Sequence, residues 1–286
     1  MRLLTRVNMK KILIALMVVA VGAGLFFCAK EVAGYIFYYN AAVEIGKLRT
    51  VSFEGEETVV REKELSRLPA PLADYLRAAG VSGKRKIKFA EFKETGFIRS
   101  EAKSKWMPFT ADQYFSGNVP GFIWRANASL GPVSVSVRDI YLKGFGNMLV
   151  KPFALFALAD TKGIETNQSA LGRCFGEWTL LPTAFLNKNI KWETAGAKAV
   201  KGTITDSGMK VSAIFKFNEK NECCEFIADR FAYENGKYIA RTFIGRSSEF
   251  FEVGGIKIPR SLSGSWILDS GEFEYVKIRI EEGKFD

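Results

Sequence analysis

Between Ile12 and Ala29 the chain carries an uninterrupted apolar run with no charged residue, and this run constrains the fold more than anything after it. As a helix it measures about 27 Å, close to the ~30 Å hydrocarbon core of a bilayer and long for the apolar part of a secretory signal. Arg2, Arg6, Lys10 and Lys11 precede it, whereas only Lys30 and Glu31 follow closely. That asymmetry places the N-terminus on the cytoplasmic side and the remainder outside, as a single-pass anchor. Met9-Lys10-Lys11 has the shape of a compact signal-peptide start, so Met1 and Met9 are both candidate initiators.

A peptidase site needs small residues, but Leu25-Phe26-Phe27-Cys28 offers bulky ones. Phe27 also stands where a lipidated cysteine would want a small neighbour, so Cys28 reads as a plain thiol. Tyr35, Phe37, Tyr38 and Tyr39 would form an aromatic belt at the exit. The expected division is a basic flank over 1–11, an anchor and exit segment over 12–40, and one extracytoplasmic domain over 41–286. Nothing rich in Pro, Ser or Gly splits that domain, and no repeat is evident.

The net charge is +10, of which the basic flank with Lys30 and Glu31 supplies +4. Much of the remaining Lys and Arg alternates with apolar residues, as in Lys86-Ile87-Lys88-Phe89 and Lys277-Ile278-Arg279-Ile280, which is how a strand solvates one face. An exported location and this dispersed charge argue against a nucleic-acid partner.

A short helix is expected at Leu68–Leu76, with prolines in its first turn and Gly80 beyond its end. Strands are expected at 86–93, 121–128, 133–142 and 146–151, then at 190–193, 199–206, 209–218, 225–231, 238–246, 256–266 and 273–280. Turn signals such as Asp206-Ser-Gly208, Glu234-Asn-Gly236 and Asp269-Ser-Gly271 join the later ones. A helical insertion spans about 168–186, with Leu171, Cys174, Phe175, Trp178 and Leu181 at helical spacing and Pro182 ending it. The fold class is therefore mainly β with some helix (α+β). It is a single large curled antiparallel sheet or open β-barrel with a few capping helices, preceded by one transmembrane helix.

The sequence contains no histidine, which removes Ser-His-Asp and Cys-His catalysis and imidazole metal sites. The four cysteines lack metal spacing; Cys174 could bridge Cys223 or Cys224, or all remain free. No metal or cofactor is expected. Among the carboxylates, Glu177 sits one turn after Arg173, where an i,i+4 ion pair is the simplest role; Asp139 reads as an ion-paired or turn residue.

The aromatics are the other rich feature. Trp106, Phe109, Phe122, Trp124, Trp178, Phe185, Phe215 and Trp266 would be core in a filled sheet, but the lining of a cavity in a hollow one.

Several of these residues fall in recognisable stretches. Arg67-Leu-Pro69-Ala-Pro71, Trp106-Met-Pro108-Phe109 through Gln113-Tyr114, and Pro120-Gly-Phe122-Ile-Trp124-Arg-Ala126 come first. Glu177-Trp-Thr-Leu-Leu-Pro182 and Gly254-Gly-Ile256-Lys-Ile258-Pro259, followed by Trp266, complete the set. Together they resemble an uncharacterised domain-of-unknown-function family of bacterial membrane or exported proteins, over about Leu65 to the C-terminus. The resemblance implies no activity. It does imply an architecture similar to the Lol-type lipoprotein carriers, whose open barrel holds acyl chains. It also points to Gln113 and Glu177 as site positions beside the aromatics.

Three functional expectations follow. The first is an anchored module binding a lipid or other apolar ligand; the second is an envelope structural or interaction protein with a filled core. The third is a histidine-free enzyme working with carboxylates such as Glu177 and Asp139.

Overall fold

The computed structural model describes residues 2–234 and 236–286. Helix α1 runs from Arg2 to Ser52 without a break, about 77 Å of helix. It is followed by α2 (Glu62–Leu65) and α3 (Ala70–Ala78), the latter with Pro71 in its first turn where a missing N–H costs nothing.

Five long strands come next: β1 (Phe89–Ile98), β2 (Met107–Ser116), β3 (Gly121–Leu130), β4 (Val133–Leu142) and β5 (Phe145–Pro152). A short β6 (Ala159–Thr161) leads into α4 (Ile164–Glu177) and two 3-10 turns, Trp178–Leu180 and Pro182–Leu186. The chain then returns to β7 (Ile190–Gly196), β8 (Ala199–Asp206), β9 (Met209–Phe217), β10 (Cys223–Glu234), β11 (Lys237–Val253), β12 (Ile256–Leu268) and β13 (Gly271–Phe285).

All thirteen strands form one antiparallel sheet in the order β6-β5-β4-β3-β2-β1-β13-β12-β11-β10-β9-β8-β7. Each strand neighbours the next in sequence except β6 and β7, and the two runs join where β1 pairs with β13. That pairing makes the first and last strands of the domain central, and leaves β6 and β7 as edges. The sheet curls strongly but does not close. Where its two wings approach, the Tyr141 hydroxyl on β4 donates to Asp206 on β8 at 2.6 Å.

The meander expected from alternation and turn signals is present. Two strands escape the sequence reading. In β2, Pro108 and the polar Gln113 interrupt the apolar row Phe109, Ala111, Phe115, so the period-2 signal is broken. In β6, three residues are too few to show a period. The helical insertion begins at Ile164, four residues earlier than expected, and its second half is 3-10 turn rather than α-helix. The Glu234–Gly236 turn includes Asn235, which lies outside the described residues.

The two faces of the sheet are occupied differently. On the convex face, α1 lays Phe37, Ala41, Leu48 and Val51 against the strands, all buried, at the spacing of one helical stripe. Leu48 joins Phe89, Ile123 and Ile140 in a small cluster there. Ion pairs hold the helix in place, Arg138 with Glu44 at 3.0 Å and Arg49 with Glu91 at 2.9 Å and Asp286 at 2.8 Å. The expected aromatic belt is thus divided: Phe37 is buried against the sheet and Tyr38 lies under the Arg125 guanidinium at 5.0 Å, while Tyr35 and Tyr39 stay exposed.

The concave face carries the main core. α3 and α4 lie within it, together with the 3-10 turns. The helix stretch Met9–Ser52 is long and apolar enough to span a membrane, and residues 10–29 are exposed throughout.

Candidate functional site

One end of the concave face is solid. Phe175, Trp178, Phe185 and Phe215 are fully buried and pack with Trp192 at ring-centroid distances of 5.0–6.4 Å. Gly202 makes this possible. A Cβ there would stand 2.6 Å from both the Phe175 and the Trp192 rings.

The other end is hollow. A cavity of about 600 Å³ lies between α4 and strands β1–β5 and β10–β13. Its walls are largely apolar, including Ile98, Met107, Trp124, Val135, Val137, Val150, Phe226, Phe243, Trp266, Phe273, Val276 and Ile278. The volume falls within the range of small-ligand sites.

The space follows from the face that α4 presents. Thr166, Ser169, Ala170, Arg173 and Gly176 recur at helical spacing along the cavity side. Four of these are small and cannot reach across. The opposite stripe carries Leu171, Cys174 and Phe175, all fully buried, into the packed end.

Polar groups line one side of the hollow. Arg173 donates to Asp139 at 2.7 Å and to Glu177 at 2.9 Å, and its guanidinium lies 4.9 Å from the Phe122 ring and 5.0 Å from Trp124. Gln113, with no exposed surface, donates to Glu177 at 2.8 Å. Burial works against the Arg173 charge, but the Glu177 and Asp139 carboxylates overcome it and hold the group firmly protonated. The Glu177–Arg173 ion pair is the one the sequence spacing points to. Glu177 and Asp139 do not form a free carboxylate pair, since both accept from one guanidinium.

Beneath Trp124 lies Glu94, 3% exposed, which accepts from the indole Nε1 at 2.9 Å. Burial and then the nearby Glu177 charge push its carboxyl up to about 8. Across the cavity, Arg230 on β10 is 9% exposed; its Nε donates to the Ser169 carbonyl at 3.1 Å, and its guanidinium sits over Phe243 at 4.5 Å and Trp266 at 5.4 Å. Half-buried Tyr275, whose hydroxyl is pushed up by desolvation, also lines the wall.

Of the residues expected at a site, Trp124, Glu177 and Trp266 line the cavity. Gln113 and Phe122 sit one layer behind it against Arg173. Phe109 packs edge-on to Trp124 at 5.4 Å in the core. Trp178, Phe185 and Phe215 belong to the solid end. Trp106 does not line the cavity; it lies behind the lining residue Arg99, between that guanidinium at 4.4 Å and the Lys277 ammonium at 5.1 Å.

Sequence reasoning missed Glu94, Arg230 and Tyr275. The signal was available for the first two: each is a charged residue in the inward row of its strand, Phe92-Glu94-Gly96 and Phe226-Ala228-Arg230. All four cysteines are free; Cys174 and Cys223 are buried, which pushes both thiols up. Among the described residues no cluster of Cys, Asp and Glu could hold a metal ion.

This curled sheet, with α4 over a half-empty concave face, belongs to a family without an assigned activity. Residues 58–278 match the family of unknown function DUF6544, and the chain is a member of it. Two solved structures are similar over 76% of this chain and 92% of theirs. One is a DUF1329 family protein from Desulfovibrio piger (11% identity, TM-score 0.37); the other is a LolA superfamily protein from Nitrosomonas europaea (9% identity, TM-score 0.36). No curated protein matches the chain.

Proposed function

We propose that the protein is a membrane-anchored, extracytoplasmic binding module that takes a lipid or other apolar ligand into the hollow end of its sheet. The observation that carries this reading is the 600 Å³ space with apolar walls, kept open by the short side chains of α4. An unfilled space of this size forfeits packing on every wall, and an apolar occupant restores it.

The position of α1 supports a lipid as the occupant. Its apolar stretch passes beside the loop between β5 and β6, with Phe26 and Phe153 edge-on at 5.4 Å. The same loop exposes Phe156 and Leu158, and Ile164 lies just beyond. The strands flanking it contribute Met148, Val150 and Thr161 to the cavity wall. With residues 12–29 in the bilayer and the basic flank in the cytoplasm, this lip meets the outer leaflet and an acyl chain passes from it into the cavity.

The test is native mass spectrometry of the full chain released from membranes in dodecyl maltoside. A co-purifying lipid in wild type that is lost when Val137 is replaced by Phe supports the reading. Wild-type protein that arrives empty and takes up no added lipid overturns it.

A further inference from the structure

Resting on the reading above, we propose that the ligand is an anionic amphiphile, an acyl chain ending in a carboxylate or phosphoryl oxyanion, whose head is bound by the Arg230 guanidinium while the chain fills the apolar cavity.

Arg230 is the buried cation in the cavity wall whose charge is left over. Arg173 holds Asp139 and Glu177, Arg246 holds Glu225 and Glu272, and Arg241, opposite Arg230 in the β10–β11 register, holds Glu234 and Asp269. Arg99, only half-buried, also lacks a carboxylate, but its Nε and one Nη are committed to the Glu274 and Ala102 carbonyls. Among the described residues Arg230 has no carboxylate within ion-pair distance, and only its Nε is committed, to the Ser169 carbonyl. Both Nη groups are therefore open to an acceptor in the cavity that the residue lines.

A buried, unanswered guanidinium is costly, and a bidentate oxyanion is the partner its two Nη groups match in geometry and charge. The Phe243 and Trp266 rings below it fix the plane of the fork without neutralising it. The backbone bond to Ser169 ties that fork to α4, so its place relative to the cavity is set by the same helix that keeps the space open.

The full chain in dodecyl maltoside is titrated with fluorescent cis-parinaric acid and, separately, with its methyl ester, which has the same chain and no charge. The acid is expected to bind about 10-fold or more tightly than the ester. Arg230→Met should bring the ratio of acid to ester binding, measured in that variant, to about 1, and Arg230→Lys should keep most of the preference. Equal binding of acid and ester by wild type overturns this proposal and leaves the apolar cavity standing. Binding of neither overturns both readings.

Three competitors then separate the sources of the oxyanion. Displacement of the acid by palmitate or by lysophosphatidic acid supports the proposal and identifies the head. Displacement by inorganic phosphate at the same concentration as palmitate overturns it in favour of a free-anion site. Should Arg230→Met fail to fold, the wild-type ratio of acid to ester decides alone.

Discussion

At one end of the concave face Phe175, Trp178, Phe185, Trp192 and Phe215 pack ring against ring; at the other, Trp124, Phe226, Phe243 and Trp266 stand around empty space. Both ends draw on the same curled sheet and the same aromatic supply. They differ in what the helical insertion puts between the walls. Into the solid end it sends Trp178 and Phe185 from the two 3-10 turns, along with Phe175 from α4. To the hollow end it presents Ser169, Ala170 and Gly176, with the ion-paired Arg173 and Glu177 as the long side chains. Burial of aromatics alone therefore does not mark a binding site here. The insertion does, through the size of the residue it offers at each helical step.

The sharpest way to break this contrast is Phe215→Ala. Phe215 is fully buried and contacts three other rings of the solid end, and Phe226 of the cavity wall, at 5.0–5.6 Å, so its loss should cost about 3–5 kcal/mol. Thermal unfolding followed by tryptophan fluorescence in detergent should report it. A loss below 1 kcal/mol would mean that this end collapses freely and is not a fixed core. Next in size is Arg173→Met, expected to cost about 3 kcal/mol because Asp139 and Glu177 lose the guanidinium they share. Replacing all three with Met, Asn and Gln should recover part of that loss. If the triple variant is no more stable than the single one, the carboxylates are not what makes the single change costly.

How far each end could be read from sequence follows from the same contrast. The sheet was legible because eleven of its strands carry period-2 alternation between clear turns, and the order of elements follows from a meander. The β1–β13 pairing was not, because it joins Phe89–Ile98 to the far end of the chain with no local signal. The candidate aromatics were visible as a class, but composition could not divide core from cavity. That division depends on which side of α4 faces which wall. The polar lining was more legible than the aromatic one. Glu94, Gln113, Asp139 and Arg230 each break an otherwise apolar inward row, and the register sets Gln113 opposite Trp124 and Trp124 opposite Asp139. Reading strands for charged residues on the inward parity, rather than for aromatics, would have found the site.

Glu94 allows that inward polar row to be tested by pH. Its folded carboxyl titrates near 8, well above the ordinary value of 4.5, so the native state holds the proton more tightly than the unfolded chain does. The stabilisation is full below about 4.5 and is lost as pH rises through about 8. The melting temperature of wild type should therefore fall between pH 5 and 8 relative to Glu94→Gln, whose amide oxygen can still accept from Trp124. The difference is roughly 3–4 kcal/mol across the window. Parallel pH profiles of the two proteins would show that Glu94 is ionised in the fold and that the layer beneath Trp124 is wetter than its burial indicates.

The smallest effect on stability should accompany the largest effect on occupancy, and this reverses the outcome at the solid end. Val137→Phe adds a ring to the inward row of β4, where Val137 faces the cavity and pairs with Ala126 on one side and Val150 on the other. In a packed core such an enlargement forces neighbours off their rotamers and costs about 1–3 kcal/mol. Here the ring has space to enter, and burying it among the apolar walls offsets the adjustment, so the change in stability should stay within about 0.5 kcal/mol of zero. The same ring should exclude an acyl chain, which ties the result to ligand uptake rather than to folding. As a control, Gly202→Ala makes a smaller addition at the solid end, where the new Cβ meets Phe175 and Trp192 at 2.6 Å, and it should destabilise by more than Val137→Phe does. If Val137→Phe proves the more damaging of the two, the hollow end is packed as tightly in solution as the solid one.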